Sequence, residues 1–431
     1  MHSPWLSILL LLAVLALCGC SALPNGPAHA AEVAQSANPR QAAPELPPAE
    51  IQTLAETNGS FAFALYGALR ERKGNLFASP YSISQALAMT YAGARGQTAQ
   101  QMADALRLIL APERLHPAWN SLDQTLTNRN RWKDAVADGP RFMLHIVNAL
   151  WGQADYEFRP EYLDLLAEHY GAGMRLLDFS ADPAGARETI NRWVGEQTQG
   201  KISDLLPSGT IDPLTRLVLT NAIYFDAAWQ YPFLAEATQD GPFTHLDGST
   251  VQARMMRQSK RLPYAEGPTF QAVELPYVGG ELSMVVVLPA PGQFQPFEES
   301  LDWAQWQEIA QALDERDVEL TLPKWDFDSQ FNLSAALQRL GMTDAFNVDA
   351  ADFSGMDGTD RLYIKEVIHK AAVTVDEAGT VAAAATAVIL VQKAMPLEPV
   401  TFTADRPFVF LIRDRGTGSI LFLGRVLDPT L

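Results

Sequence analysis

The segment that most restricts the fold of this 431-residue chain runs from Asp376 to Pro396 and reads DEAGTVAAAATAVILVQKAMP. Its centre, residues 381–391, is eleven consecutive small or apolar residues. A membrane-spanning helix needs about 20 apolar residues, so this run is too short to span. The β-branched side chains disfavour a helix. As a strand, residues 380–393 would extend roughly 46 Å, more than twice the usual strand length. An ordinary core element therefore does not account for the segment.

The N-terminus predicts export of the chain. Residues 6–20, LSILLLLAVLALCGC, form an apolar segment of signal-peptide length that ends in small residues and cysteine. Residues 17–20 resemble the bacterial lipoprotein cleavage box, which would make Cys20 the lipidated first residue of the mature chain. Ordinary secretion and an uncleaved anchor stay open, because Cys18 is unusual in such a box and residues 1–5 contain no Lys or Arg. Both cysteines lie in this segment, so the rest of the chain folds without disulfides.

Composition divides the chain into three parts. Residues 1–20 are the predicted signal peptide with its lipobox-like end. Residues 21–50 are rich in Ala and Pro and cannot bury enough apolar surface to fold, which predicts a disordered tether. Residues 51–431 show no further break and no internal repeat, so we expect a single domain. The net charge of -18 argues against a nucleic-acid partner and favours cationic partners.

The folded part reads as α+β. Ser79 and Pro80 form a helix cap followed by proline at the first helical position, and Thr98 with Gln101 predicts a capping box before Met102. Later segments such as 216–225 and 282–289 are short and rich in β-branched residues, as in strands. The sequence EVIHKAAVTVDE, residues 366–377, alternates and places its odd-numbered residues from 367 to 375 on one face. Helices come first and strands later, unlike a parallel α/β fold.

No enzymatic motif is complete. Residues 195–202, GEQTQGKI, have the spacing of a phosphate loop, but Ile202 replaces the magnesium-binding Ser or Thr and the preceding residues read as helix. A polar turn that ends a helix is therefore expected here. The seven histidines show no metal-binding spacing, and no GxSxG elbow occurs. We expect neither an enzyme nor a metal site.

Eight blocks in order resemble the serpin (serine protease inhibitor) family over about residues 51–431. They include NLFASPYSISQALAMTYAGARGQTAQQM (75–102), VNALWGQ (147–153), INRWVGEQTQGKISDLLP (190–207), LVLTNAIYFDAAWQYPF (217–233) and ELPYVGGELSMVVVLP (274–289). The others are ADFSGM (351–356), IHKAAVTVDEAGTVAAAAT (368–386) and DRPFVFLIRDRGTGSILFLGRV (405–426). The resemblance implies a serpin fold with three β-sheets, about eight or nine helices and an exposed reactive-centre loop.

In this family the segment is a loop that enters the largest sheet as a strand after a protease cuts it. The residues fit that role, because Gly379 can turn and small side chains can slide between strands. Alternation would direct even-numbered residues from Thr380 to Leu390 toward the core. The hinge residues implied are Glu377, Gly379, Thr380, Ala382, Ala383, Ala384, Ala385 and Thr386.

Family spacing places the scissile bond at Lys393-Ala394, with a one-residue shift as the alternative. A lysine there suits a trypsin-like serine protease. The implied function is irreversible, stoichiometric inhibition through a trapped acyl-enzyme, with a non-inhibitory surface or binding lipoprotein as the alternative. Residues implied to support sheet opening are Ser79, Ser82, Asn221, His369, Trp229 and Lys324.

The predicted signal peptide sets the expected location, and the family resemblance sets the expected partner. We expect a monomer. We expect no activating cofactor, because the basic residues Arg107, Arg114, Arg129, Arg131 and Lys133 are interrupted by acidic and apolar residues and do not form a heparin-like patch. The protease is the expected partner, and the expected location is outside the cytoplasm, on the cell envelope or in the extracellular space.

Overall fold

The structure is a computed structural model that describes residues 31–44, 46–129, 142–380 and 398–431. Within these ranges the chain forms ten α-helices, sixteen strands and two short 3-10 helices at 235–237 and 344–346, which confirms the α+β class. The helices are Pro48–Leu69 (α1), Pro80–Tyr91 (α2), Gly96–Ala105 (α3), Pro112–Asn128 (α4), Pro160–Tyr170 (α5), Pro183–Gln197 (α6), Phe294–Ser300 (α7), Trp303–Ala312 (α8), Ser334–Arg339 (α9) and Ser354–Asp357 (α10).

The strands form two hydrogen-bonded sheets. They are Glu32–Ala34 (β1), Leu76–Ala78 (β2), Phe142–Gln153 (β3), Met174–Leu177 (β4), Leu217–Ala228 (β5), Gln239–Thr244 (β6), Thr250–Gly267 (β7), Phe270–Pro276 (β8), Leu282–Pro289 (β9), Asp314–Pro323 (β10), Trp325–Asn332 (β11), Ile364–Val375 (β12), Gly379–Thr380 (β13), Val400–Thr403 (β14), Phe408–Asp414 (β15) and Ile420–Val426 (β16). The seven-stranded sheet has the order β1-β4-β3-β5-β13-β12-β11. The nine-stranded sheet has the order β14-β10-β7-β8-β9-β15-β16-β2, with β6 beside β7.

The resemblance implied three sheets, and the described strands join into two. The reason is the 18-residue strand β7, which pairs with β6, β10 and β8 along its length and so links two sheets into one continuous network. Helix α9, of six residues, and helix α10, of four, account for the slight excess over the eight or nine helices expected.

The seven-stranded sheet is covered on both faces. Every residue of β5 is buried. The odd-numbered apolar residues Leu217, Leu219, Ile223, Phe225 and Ala227 belong to the main core, and Val218 and Ala222 belong to a second cluster on the opposite face. That second cluster includes Ile190 and Val194 of α6, which therefore packs across the outer face of the sheet. A strand covered on both faces explains the continuous apolar run of β5 in the sequence.

Local sequence signals had mixed outcomes. Ser79 caps α2 as predicted, with its side chain accepting a hydrogen bond from the backbone N–H of Ser82 and with proline at the first position. Residues 198–200 form the predicted turn after α6. The capping box was wrong: α3 begins at Gly96, and Thr98 and Gln101 lie inside it. Their side chains instead accept hydrogen bonds from backbone N–H groups of residues 352, 343 and 344, contacts that sequence spacing does not reveal.

The predicted disordered tether, residues 21–50, differs from the structure in its described part. Glu32–Ala34 pair antiparallel with β4 as an edge strand, and α1 already begins at Pro48. The composition argument considered only apolar burial, whereas backbone pairing and polar side chains hold this segment. Residues 1–30, with the predicted signal peptide and Cys20, lie outside the described residues.

Candidate functional site: the hinge and the seam below it

Strand β13 lies in a gap between β5 and β12. Gly379 pairs with Ala228 and Thr380 with Ala227 on β5, and Thr380 also pairs with Val375 on β12. Below this level β5 and β12 pair directly and in parallel, from Leu217 and Ile364 to Ile223 and Ala371. We name this direct pairing the β5–β12 seam. The sheet is thus split at one end and closed at the other.

The hinge residues Gly379 and Thr380 therefore lie inside the sheet. This differs from the resemblance, which had implied an exposed loop for the whole segment. At Gly379 an added Cβ would lie 2.2 Å from the carbonyl oxygen of Ala227, so only glycine fits between the strands at this point. Thr380 is 1% exposed. Its hydroxyl and that of Tyr277 hydrogen-bond each other at 2.8 Å.

Two aromatic residues form the floor of the split. Trp229 stacks on Tyr277 with ring centroids 4.6 Å apart, and its indole N–H donates to the carbonyl oxygen of Asp376 at 3.0 Å. Burial raises the pKa of Tyr277, so its phenol stays protonated and can bond the hinge. The sequence reasoning missed Tyr277, although this residue directly follows the strand β8 in the block ELPY, and a buried tyrosine hydroxyl needs a hydrogen-bond partner.

Glu377 fixes the entry to the split. Its carboxylate accepts hydrogen bonds from the Lys324 ammonium at 2.7 Å and from the Thr238 hydroxyl at 2.7 Å. Its carbonyl oxygen accepts from the backbone N–H of Phe233 at 2.8 Å. Burial opposes ionisation, but the hydrogen bonds from Lys324 and Thr238 hold the pKa of Glu377 below its usual value. The structure thus brings Glu377 and Lys324 together.

A buried polar cluster crosses the β5–β12 seam. His369 on β12 accepts a hydrogen bond at Nε2 from the backbone N–H of Ser79, at 3.1 Å. The other ring nitrogen, Nδ1, therefore carries the proton and donates to the amide oxygen of Asn221 on β5. The Asn221 amide in turn donates to the hydroxyl of Ser82, at 2.5 Å. Four of the six residues named from the sequence as support for sheet opening, Ser79, Ser82, Asn221 and His369, therefore meet here.

Asn148 also belongs to this cluster and was missed. Its amide oxygen accepts hydrogen bonds from Ser82 and Asn221, and its amide nitrogen donates to Gln85 at 2.9 Å. The signal was available: Asn148 is a polar residue on the face of β3 that directs Leu144 and Leu150 into the core. A buried polar residue on such a face needs partners.

His369 is neutral in the folded protein. Burial lowers its pKa to about 3, because the imidazolium form would lose its hydration without a facing carboxylate to replace it. The cluster therefore holds the seam by neutral hydrogen bonds. Both ring nitrogens of His369 thus have a hydrogen-bond partner.

Several predicted positions lie outside the described residues: Ala382, Ala383, Ala384, Ala385, Thr386, Lys393 and Ala394, together with Arg131 and Lys133. Among the described basic residues, Arg114 pairs with Glu50 at 2.6 Å and Arg129 with Asp414 at 2.9 Å. Within the described ranges no group of three or more His, Cys, Asp or Glu could hold a metal ion. No helix there is long and apolar enough to cross a bilayer.

A large sheet that is split around a hinge at one end and closed by a buried polar cluster below it defines the serpin class of fold. The family model described as Serpin (serine protease inhibitor) matches residues 56–429. The chain belongs to the serpin family.

Its similarity to curated relatives extends over most of both sequences. The chain is 43% identical over 86% of its length to an uncharacterised serpin-like protein of Thermococcus kodakarensis, covering 84% of that protein. It is 40% identical over 88% of its length to the human leukocyte elastase inhibitor, covering all of it. Among solved structures, the thermophilic serpin tengpin in the native state matches with a TM-score of 0.80 and 28% identity, over 92% of this chain and 100% of tengpin.

Proposed function

We propose that this protein is an irreversible suicide-substrate inhibitor of trypsin-like serine proteases. The observation that carries the proposal is β13: the hinge already occupies the split, antiparallel to both neighbours. The residues that follow it are small or apolar, and uncharged, up to Val391. Relatives named leukocyte elastase inhibitor support inhibition of a protease as the general activity.

The register of β13 defines the path that a cut loop would follow. In the antiparallel pairing of β13 with β5, each step forward along β13 is one step back along β5. If the strand continued in this register, Ala384 would lie opposite Ile223 and Thr386 opposite Asn221. On the other side, continuing from the pair of Val375 and Thr380 would bring Thr386 opposite His369. The loop would therefore separate Asn221 from His369 and take the place of the seam.

The side chains suit this path. Thr380 faces the main core, where it contacts Tyr277, so the even-numbered residues that follow would face it too. They are Ala382, Ala384, Thr386, Val388 and Leu390. No charge or proline would enter the core, and the apolar side chains would gain burial that an exposed loop lacks.

Until insertion begins, the catalytic groups of the protease carry out the reaction. Its serine hydroxyl attacks the carbonyl of Lys393, and the peptide bond to Ala394 breaks. The serine proton goes to the new amine of Ala394, and Lys393 stays joined to the serine as an ester. Insertion then carries the ester and the protease away from the split. Distortion of the protease keeps water from completing deacylation, so each molecule inhibits once and does not turn over.

The test uses the full chain and trypsin. We expect a one-to-one adduct that survives denaturant, together with a released peptide that begins at Ala394. Lys393→Ala should reduce the rate of adduct formation with trypsin by at least about a hundredfold, because the specificity pocket loses its cationic partner. The matched control is Lys73→Ala, which removes an exposed lysine in the turn after α1 and should leave the adduct unchanged. Simple cleavage without an adduct would contradict inhibition, and a different peptide start would move the scissile bond.

We propose further that the chain is exported and anchored through lipidated Cys20. The supporting feature is the apolar segment that ends in Leu17-Cys18-Gly19-Cys20. Expression in a bacterium with a lipoprotein pathway should give a mature N-terminus at Cys20 with added acyl mass in peptide mass spectrometry. Cys20→Ala should remove that mass. An unmodified mature N-terminus would instead support ordinary secretion.

A further inference from the structure

The segment 32–41 crosses the outer edge of the seven-stranded sheet, and we name it the N-terminal strap. Its strand β1 pairs with β4 from Glu32 and Leu176 to Ala34 and Met174. Further along, the backbone N–H of Gln41 donates to the carbonyl oxygen of Glu168 at 2.9 Å. The carbonyl oxygen of Gln41 accepts from side-chain amides of α4 at 2.9 and 3.1 Å. Backbone and side-chain bonds thus hold the strap to β4, α4 and α5.

Arg40 is the strap's deepest contact. Its guanidinium donates to the carboxylate of Asp123 at 2.7 Å and to the amide oxygen of Asn120 at 2.9 Å. Asn120 is fully buried, and the side chain of Asp123 is only 14% exposed. Removal of Arg40 would leave a largely buried carboxylate without its cation, which is more damaging than loss of an exposed pair.

A continuous hydrogen-bond path leads from Arg40 to the seam. The second oxygen of Asp123 accepts from the Gln85 amide at 2.9 Å. The Gln85 oxygen accepts from the Asn148 amide, also at 2.9 Å. Asn148 then accepts from Asn221, whose oxygen accepts from His369 across the β5–β12 seam. The path contains no gap between the strap and the seam.

The two ends of this path require the same bond directions: Asp123 accepts at one end, and the backbone N–H of Ser79 fixes the proton of His369 at the other. A carboxylate only accepts, so Gln85 must turn its amide nitrogen toward Asp123 and its oxygen toward Asn148. The same constraint passes through Asn148 to Asn221, whose oxygen is left to accept from His369. Arg40 neutralises and orients the carboxylate on which this order depends.

We propose that the N-terminal strap restrains the β5–β12 seam through this path, with Arg40 as the positioning residue. A docked strap keeps the amides aligned and the seam closed; a released strap leaves Asp123 and Gln85 to rearrange and weakens the bond between Asn221 and His369. The seam's role in taking up a cut loop rests on the proposed function. The coupling itself is a property of the resting fold.

The test is hydrogen exchange by mass spectrometry on the full chain at a temperature well below unfolding. Arg40→Met should raise exchange at seam peptides covering 217–223 and 364–371 by about tenfold, the change expected when one charge-assisted hydrogen bond is lost. Peptides of β9 should not change. The matched control is Arg114→Met. Arg114 lies on α4, the helix that carries Asp123, and pairs with Glu50, but it has no bond to the path. This variant should leave the seam unchanged.

Gln85→Met interrupts the hydrogen-bond path between Asp123 and Asn148 but leaves the contacts of the strap itself in place. This variant should raise exchange at the seam while β4 peptides stay protected, and adding Arg40→Met should then raise the seam no further. Two results would overturn the proposal. One is an increase in exchange confined to β4 and α5 in Arg40→Met; the other is a double variant whose exchange at the seam is the sum of the two single effects. If Arg40→Met does not fold, Gln85→Met still tests the path: unchanged exchange at the seam in that variant would contradict the proposal. Exchange needs no protease, so failure to trap trypsin and failure of the coupling are seen separately.

Discussion

Thr380→Arg is expected to convert the protein from an inhibitor that traps trypsin into a substrate that trypsin cleaves. Thr380 is buried in the split, bonded to Tyr277 and flanked by β5 and β12. An arginine at this position would place a charge among apolar side chains without a facing carboxylate, at a cost of several kcal/mol. The hinge would then stay outside the sheet, and water would complete deacylation before insertion could begin.

The measurement is the ratio of adduct to cleaved protein after reaction with trypsin. An insertion barrier higher by about 3 kcal/mol should lower that ratio by about a hundredfold. Two controls use the same chemistry. Thr250→Arg adds the same side chain at an exposed position of β7 and should not change the ratio. Thr380→Ser keeps the hydroxyl that reaches Tyr277 and should remain an inhibitor. An unchanged ratio in Thr380→Arg would contradict insertion as the trapping step.

The sequence could predict the α+β class, the faces of a strand and the start of a helix because these features depend on local patterns. Alternation along residues 366–375 predicted the faces of β12, and the structure places Val373 and Val375 in the main core with His369 among buried polar groups. Capping predicted the start of α2. Such signals depend on neighbours within a few residues, so a single sequence contains them.

Contacts between distant residues could not be predicted in the same way. Tyr277 meets Thr380 across 103 residues, and Gln85 meets Asn148 across 63. The N-terminal strap was mistaken for a disordered tether because its few apolar residues promise little burial, whereas its stability comes from pairing with an edge strand and from Arg40. Composition cannot detect a partner that is itself formed only by folding.

The number of hinge residues already inside the sheet bears on the proposed mechanism. Two residues occupy the split while the seam below remains closed by paired backbone and by the bond between Asn221 and His369. In the proposed mechanism, insertion would extend a strand that has already begun. The loop would first meet resistance at Ile223 and Ala371, the upper end of the seam, and from there each further pair would exchange a β5–β12 contact for two contacts with the loop.

Cleavage at Lys393-Ala394 is therefore expected to stabilise the protein. A freed loop would fill the split and then replace the seam with residues 384–390, and burial of its apolar side chains would contribute about 10 kcal/mol. For a domain of this size the midpoint of thermal unfolding should rise by at least about 10 °C. The measurement compares heating curves of intact protein and of protein nicked at this bond. Thr380→Arg nicked at the same bond is the matched control: it loses the same peptide bond but keeps the loop outside, so its curve should not rise. Superimposable curves for the intact and nicked parent protein would mean that the resting fold stores no free energy for trapping a protease.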